Sequence, residues 1–150
     1  MKFEIIRAGK KDINNVSKLF DLYRQFYSYK SDISASIDYI KERIENNESI
    51  IFIATDDKGN GLGFVQLYET FGSLDLGKII VLYDLYVKKE FRKNKIGRKL
   101  MLKSHEYAKE IKAKRIQLST AIDNFIGQSL YESLGYIKDK DFYTYDLEIK

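Results

Sequence analysis

Hydrophobic side chains recur along this chain with two periods, and the switches between them outline a succession of strands and helices. Phe3 to Arg7 alternates weakly and predicts a first strand. Ile13, Val16, Leu19, Phe20, Tyr23 and Tyr27 repeat near 3.6 residues and predict a helix over roughly 11–28, with Asp12 placed to help its N-terminus. After a polar break at Ser31 to Ser36, Ile37, Ile40 and Ile44 mark a second helix that ends near Asn46 and Asn47. Ser49 to Thr55 and Leu62 to Phe71 read as two strands of a hairpin, joined by the turn Asp56-Asp57-Lys58-Gly59-Asn60-Gly61. A loop at Gly72 to Gly77 leads to the β-branched and aromatic run Ile79 to Val87, a further strand. Ile96, Leu100, Met101, Ala108 and Ile111 then follow at helical spacing. Arg115 to Thr120 alternates as a strand, and Asp123 to Leu134 predicts a short helix closed by Gly135 in a left-handed conformation. Tyr136 to Lys138 and Phe142 to Ile149 read as closing strands. The order β-α-α-β-β-β-α-β-α-β-β predicts an α/β fold, a mixed sheet with helices on both faces. The strand-helix-strand passage through 79–120 implies a right-handed crossover.

Composition adds limits. The 150 residues suit one domain over 1–150 with a real core, at 44% hydrophobic and 32% charged. The absence of cysteine excludes disulfides, thiolate metal sites and cysteine nucleophiles. His105 is the one histidine and builds no metal site alone, so no metal is expected and a plain structural role is assigned to it. The charged start Met1-Lys2-Phe3-Glu4 does not resemble a signal peptide, and no apolar run approaches the roughly 18 residues of a membrane span. The expected location is the cytoplasm, with no membrane partner.

Charge changes the picture at one place. The net charge is only +4, yet about a third of all Lys and Arg fall between 88 and 103. Lys88, Lys89, Arg92, Lys93, Lys95, Arg98, Lys99 and Lys103 stand there against one acid, Glu90. A strand, a basic loop and a helix form a natural anion site, because the first amides of a helix lack intrahelical partners and its dipole is positive there. The loop has neither a Walker A pattern nor G-x-G-x-x-G.

What it has is Arg92-Lys93-Asn94-Lys95-Ile96-Gly97, after a strand ending Asp84-Leu85-Tyr86-Val87. This resembles the acetyl-coenzyme A loop of the GNAT superfamily of N-acetyltransferases, Gln/Arg-x-x-Gly-x-Gly/Ala. A second family signature also stands here: Asn124, Gly127 in place of a frequent alanine, and Leu130-Tyr131-Glu132-Ser133-Leu134-Gly135-Tyr136. The resemblance covers nearly the whole chain. It implies a mixed, mostly antiparallel sheet of six to seven strands, splayed between the strands near 79–88 and 115–120. It implies acetyl-CoA as cosubstrate, with the backbone of Leu85, Tyr86 and Val87 pairing with the pantetheine arm. The amides of Arg92, Lys93, Asn94, Lys95, Ile96, Gly97 and Arg98 would hold the pyrophosphate, and Asn124 and Tyr131 would contact the arm. Lys95 replaces the family's first loop glycine. Positive φ there would strain a lysine; the expectation is that the position is already helical, so that lysine keeps the amide and adds charge.

Acetyl transfer to an amine sets chemical demands. An alkyl ammonium has a pKa near 10 and must lose a proton. By resemblance, the Val87 amide would donate to the developing oxyanion, and Tyr131 would protonate the departing sulfur. The base is less defined. Where relatives acting on polyamines carry a Glu-Asp pair, this chain has Tyr83-Asp84. Strand alternation would point these two to opposite faces. Asp84 is the candidate base, with a water chain to Asp84, Glu69 or Tyr83 as the alternative and a structural hydrogen-bonding role for Asp84 also open.

Around the acceptor, Tyr23, Phe26, Tyr27, Tyr29, Asp21 and Asp32 come from the first helix and its loop, and Tyr68, Glu69 and Phe71 from the 62–71 strand. Tyr27, Tyr68 and Glu69 are the acceptor-binding candidates. Aromatic faces with carboxylates suit a small cationic primary amine, although the same tyrosines also suit an amphipathic core. Three functions follow in order: an amine N-acetyltransferase working by direct attack in a ternary complex, a non-catalytic coenzyme A sensor, and a nucleic-acid binder using 88–103. A homodimer is a further expectation from the resemblance, with no interface readable in the sequence.

Overall fold

A computed structural model describes residues 1–150. Residues 1–119 form one compact unit and 120–150 a second. In the first, a five-stranded sheet has the order β1 (Glu4–Arg7), β2 (Ile50–Thr55), β3 (Gly61–Gly72), β4 (Gly77–Val87) and β5 (Ile116–Gln117). The first four strands are antiparallel neighbours, and β5 joins β4 in parallel. The mixed, mostly antiparallel sheet matches expectation. Its five strands are fewer than the six to seven expected.

The two faces of the sheet sort by residue parity, as side chains on a strand must. On one face, Ile51, Ile53 and Phe64 meet Val16 and Leu19 of helix α1 (Ile13–Phe26) and Ile40 of helix α2 (Ile33–Glu45), all essentially buried. On the other, Phe52 and Glu69 meet Tyr107 of helix α3 (Ile96–Glu110). The periodic residues Ile96, Leu100, Met101 and Ala108 are the buried stripe of α3.

Helix α2 begins earlier than the polar break suggested. Asp32 caps it, accepting from the Ala35 amide at 3.0 Å. Ser36 lies inside the helix, buried, with its hydroxyl on Asp21 at 3.2 Å. Asp21 also accepts from Ser31 at 2.6 Å, the Asp32 amide at 2.8 Å and Gln25 at 3.0 Å. Burial alone would raise its pKa; these donors outweigh burial and hold it below the usual carboxylate value. Asp21 and Asp32 therefore tie α1 to α2 and do not line an acceptor pocket.

In the second unit, helix α4 (Phe125–Ser133) is capped by Asn124, which accepts from the Gly127 amide at 3.2 Å. A Cβ on Gly127 would stand 2.5 Å from the Asn124 amide nitrogen, so alanine here would require the Asn124 side chain to shift. Gly135 ends the helix at φ 92°, as expected. The closing strands expected at 136–138 and 142–149 do not form. Alternation is a property of side chains, whereas a strand also needs a neighbour for its amides and carbonyls. Within the second unit, Tyr143, Tyr145, Leu147 and Ile149 have no such neighbour. No helix is long and apolar enough to cross a membrane.

Phe64 is fully buried and meets Phe20 and Tyr23 edge-on, at 6.5 Å and 6.1 Å between ring centroids. Phe64→Ala is expected to lower unfolding free energy by about 3–5 kcal/mol, read as a shifted urea midpoint at unchanged slope.

Candidate active site

Between β3 and β4 the register slips. Gln66 faces Asp84, but its neighbour Leu67 faces Leu82, so Tyr83 is an extra residue on β4. Without this bulge, positions 83 and 84 would point to opposite faces. With it, the Tyr83 ring lies edge-on to Tyr68 at 5.8 Å, on the face that also carries Gln66 and Asp84. The expectation of opposed side chains is thus corrected: a bulge adds a residue without reversing direction, and both side chains face α1 and α2.

Asp84 is 2% exposed and Gln66 fully buried. The Gln66 amide nitrogen donates to Asp84 Oδ2, and Gln66 Oε1 accepts from the Ser49 hydroxyl at 2.8 Å. The Tyr23 hydroxyl donates to the carbonyl oxygen of Tyr83, the residue before Asp84, at 3.2 Å. Burial pushes Asp84 up to about 6, and the Gln66 and Tyr23 donors partly oppose that rise. In turn, burial and the nearby Asp84 charge push Tyr23 and Tyr27 above the ordinary tyrosine value. Tyr68 is raised as well, by burial and then by its contact with Tyr39, whose hydroxyl lies 2.6 Å away. The result is a carboxylate at the base of a tyrosine-lined face, with a pKa suited to proton exchange near neutrality.

Of the acceptor candidates, Tyr27 and Tyr68 share this face with Asp84. Glu69 does not. It follows Tyr68 on β3 and so points toward α3, where Tyr107 donates to it and Lys78 pairs with it at 3.1 Å. The Tyr107 hydrogen bond is the main cause of its pKa lying below the usual glutamate value. Gln66 was missed by sequence reasoning. Its signal was a lone amide inside the apolar run Leu62-Gly63-Phe64-Val65-Gln66-Leu67, a place where a polar group needs a partner.

The candidate coenzyme side consists of β4 and the loop after it. β5 pairs only with Ile80 and Val81, so Leu85, Tyr86 and Val87 have a ladder to β3 on one edge and none to β5 on the other. This is the splay the resemblance implied. Arg92 donates to the Val87 carbonyl oxygen at 3.0 Å, and its guanidinium lies 5.6 Å from the Tyr86 ring and 5.8 Å from that of Phe26. Asn94 spans the loop, donating to the carbonyls of Phe91 and Arg92 at 3.1 and 3.2 Å.

Lys95 is left-handed, at φ 63° and ψ 12°, and Lys93 has φ 67°. The expectation of a helical Lys95 is therefore corrected. Lys95 is the residue that precedes α3, and the chain must turn there before the first helical amides can face outward. Left-handed residues in such a turn make a concave group of amides suited to an anion. The loop thus fits a pyrophosphate through its backbone, and Lys95 supplies the left-handed geometry usual for glycine. Asn124 has a local task besides any contact with a pantetheine arm: it caps α4 and donates to the Thr120 hydroxyl at 2.9 Å. The Tyr131 ring lies 6.2 Å from that of Tyr136, whose pKa burial and Tyr131 push up to about 12.

The sequence pattern of the acetyltransferase (GNAT) family matches residues 16–136. The chain belongs to that family. It is 37% identical to the uncharacterized N-acetyltransferase YhfO of Bacillus subtilis over 145 residues, 97% of each chain. The crystal structure of a probable acetyltransferase superposes with a TM-score of 0.91 at 34% identity, over 98% of both chains. An aminoglycoside N-acetyltransferase, AAC(6')-Iy, solved with a bisubstrate analogue of coenzyme A and acetylneamine, has a TM-score of 0.82 over 99% of this chain. At 17% identity that likeness shows the fold alone. This GNAT chain is an acetyltransferase, and no group of three His, Cys, Asp or Glu residues in it could hold a metal ion.

Two outcomes follow from the site's electrostatics and backbone. The folded pKa of Asp84, about 6, lies above the unfolded 3.8, so its contribution favours folding at low pH and is lost as pH rises through about 6. Asp84→Asn is therefore expected to raise the melting temperature at pH 8, by at most about 3 kcal/mol of stability, with the gain vanishing below about pH 4. Lys95→Gly removes a left-handed cost of about 1–2 kcal/mol and adds chain entropy of about 0.5–1 kcal/mol. A net stabilisation of about 0.5–1 kcal/mol is expected in thermal melts without ligand.

Proposed function

We propose that this acetyltransferase transfers the acetyl group of acetyl-CoA to a primary amine on a small cationic molecule, by direct attack in a ternary complex. The observation that carries this reading is Asp84: a buried carboxylate titrating near 6 behind a face of tyrosines. Tyrosine faces attract a cation, and a carboxylate of this pKa is ionised at neutral pH and ready to accept its proton. The acceptor candidates on this face are Tyr27 and Tyr68.

Acetyl-CoA would bring the acetyl group as a thioester, already activated toward an amine. The loop amides from Arg92 to Arg98 would hold its pyrophosphate, and Leu85, Tyr86 and Val87 would pair along its arm as an added strand. The Val87 amide would donate to the carbonyl oxygen, Tyr131 would hand a proton to the sulfur, and Asn124 would touch the arm. A homodimer, common in families like this one, would be its assembly.

The test is a thiol-release assay over a panel of aminoglycosides, polyamines, lysine analogues and peptide N-termini. Turnover is expected with at least one small cationic amine. Tyr131→Phe and Asp84→Asn are each expected to lower kcat about 10²–10⁴-fold while acetyl-CoA still binds. Tight coenzyme binding with no amine acetylated would instead make the chain a sensor.

A further inference from the structure

Side chains of α1, α2, β3 and β4 join into one aromatic face. Tyr27 meets Tyr23 edge-on at 5.2 Å between centroids, and the Tyr23 hydroxyl donates to the Tyr83 carbonyl oxygen at 3.2 Å. The Tyr83 ring stands edge-on to Tyr68 at 5.8 Å, and the Tyr68 hydroxyl lies 2.6 Å from that of Tyr39. Tyr39 stacks on Phe20 at 5.3 Å, and Phe20 returns to Tyr23 at 6.2 Å. The circuit is closed, and its outer members Tyr27, Tyr39 and Tyr83 are exposed. These four elements offer the face no open carboxylate. The one acid of α1, Asp21, is held between the helices by four donors. Asp32 caps α2. Within α2, Glu42 pairs with Arg43 at 3.1 Å, and Asp38 and Glu45 lie on the solvent side, away from the buried Ser36 and Ile40. The one acid of β3, Glu69, is bound to Tyr107 and Lys78 on the opposite face of the sheet. The one acid of β4, Asp84, is buried with Gln66 on its Oδ2.

Cations, by contrast, edge the face. The Arg43 guanidinium lies 4.4 Å from the Tyr39 ring centroid, Arg24 lies 5.0 Å from Tyr29, and Arg92 lies 5.8 Å from Phe26. Arg43 is neutralised by Glu42 and, at 3.5 Å, by Glu48. Arg24 and Arg92 take part in none of the five ion pairs of the chain. We propose that the acceptor is a monoamine: one ammonium group received on tyrosine rings and carried on an apolar or aromatic body, with any second cationic group counting against it. The proposal rests on the reading of this face as the acceptor side of an amine acetyltransferase, and its test separates the two.

The physical argument is one of charge complementarity. A ring face attracts an ammonium group without carrying a formal charge, so one cation is accommodated by Tyr27, Tyr68 or Tyr83. A second ammonium on the same ligand would give up water for a surface with no carboxylate to receive it. It would also approach Arg24 or Arg92, at a distance where like charges repel. An apolar body does the reverse: it covers Phe26, Tyr27 and Tyr83, rings that now stand in water. Selectivity then comes from what the face refuses as much as from what it attracts. Tyr83 is the specificity-determining position. It is the extra residue of the bulge, it is 65% exposed, and it stands against Tyr68. A carboxylate at that position would supply the missing partner for a second cation.

The experiment measures kcat/KM at saturating acetyl-CoA for heptylamine, phenethylamine, hexamethylenediamine, spermidine and an aminoglycoside. Heptylamine and hexamethylenediamine have the same length and differ by a methyl group against a second ammonium. The enzyme is expected to favour heptylamine by about tenfold or more, with the gap narrowing as added salt screens Arg24 and Arg92. Phenethylamine is expected to match or exceed heptylamine. Tyr83→Glu is expected to raise kcat/KM for the diamine about tenfold and to lower it for heptylamine. Tyr83→Leu keeps an apolar side chain but no ring, and is expected to lose about 3–10-fold with phenethylamine. Circular dichroism melts confirm that both variants fold. Use of the diamine, spermidine or the aminoglycoside equal to or better than that of both monoamines would overturn the proposal and leave the acetyltransferase reading intact. Unchanged selectivity in a folded Tyr83→Glu would overturn the role of position 83. Tight acetyl-CoA binding with no amine turned over would overturn the acceptor reading itself.

Discussion

Between Gln66 and Leu67 on β3, strand β4 spends one residue more than its partner, and that residue is Tyr83. An antiparallel ladder tolerates such an insertion by bending and twisting locally while keeping the flanking pairs in register. Here the flanking pairs are Leu67 with Leu82, facing α3, and Gln66 with Asp84, facing α1 and α2. The bulge therefore sets which side chains meet. It places a carboxylate against a buried amide, turns a tyrosine ring onto the same face, and aims a carbonyl oxygen at Tyr23.

Burial then supplies the chemistry. A carboxylate on an open strand would titrate near its ordinary value, and an ion pair would hold it lower still. The core around Phe64 reaches up to Asp84 through Phe20 and Tyr23, so this carboxylate is packed against rings and its charged form is disfavoured. The cost is borne by the folded state at neutral pH, and a destabilised group of this kind is common where protons are exchanged. Asp21 is the contrast within the same layer. It too is largely covered, though less deeply, and four donors keep it ionised; its work is to join two helices.

Much of this was legible in the sequence, for reasons that can be stated residue by residue. Helical periodicity located α1 and α3, and glycine at 135 marked a left-handed stop. The basic strand-loop-helix and the signature around Asn124 and Tyr131 gave the family, because both depend on local residue types at fixed spacing. Register was not legible. Whether 83 and 84 face together depends on a partner strand some twenty positions away, and nothing in Val81-Leu82-Tyr83-Asp84 marks a bulge. Glu69 was misplaced for a related reason: parity from Tyr68 was available, but which face held the site was not. The tail from 136 to 149 shows the same limit, since side-chain alternation cannot supply a ladder partner.

The loop at 92–98 carries the last step. A left-handed lysine costs about 1–2 kcal/mol relative to an extended or helical one, and this loop contains two, Lys93 and Lys95. Glycine would remove that cost, but it would also remove a cation at each position and loosen the turn before binding. Asn94 opposes such loosening by tying its side chain to two loop carbonyls, and Arg92 does so by fastening to Val87. The strain is thus held by side-chain hydrogen bonds on both sides of it. On the proposed reading, a loop fixed in this way would present its amides to a diphosphate without having to order itself on binding, and would add lysine charge that glycine cannot provide. On that reading, lysine at 95 trades folding stability for a preorganised, more positive anion site.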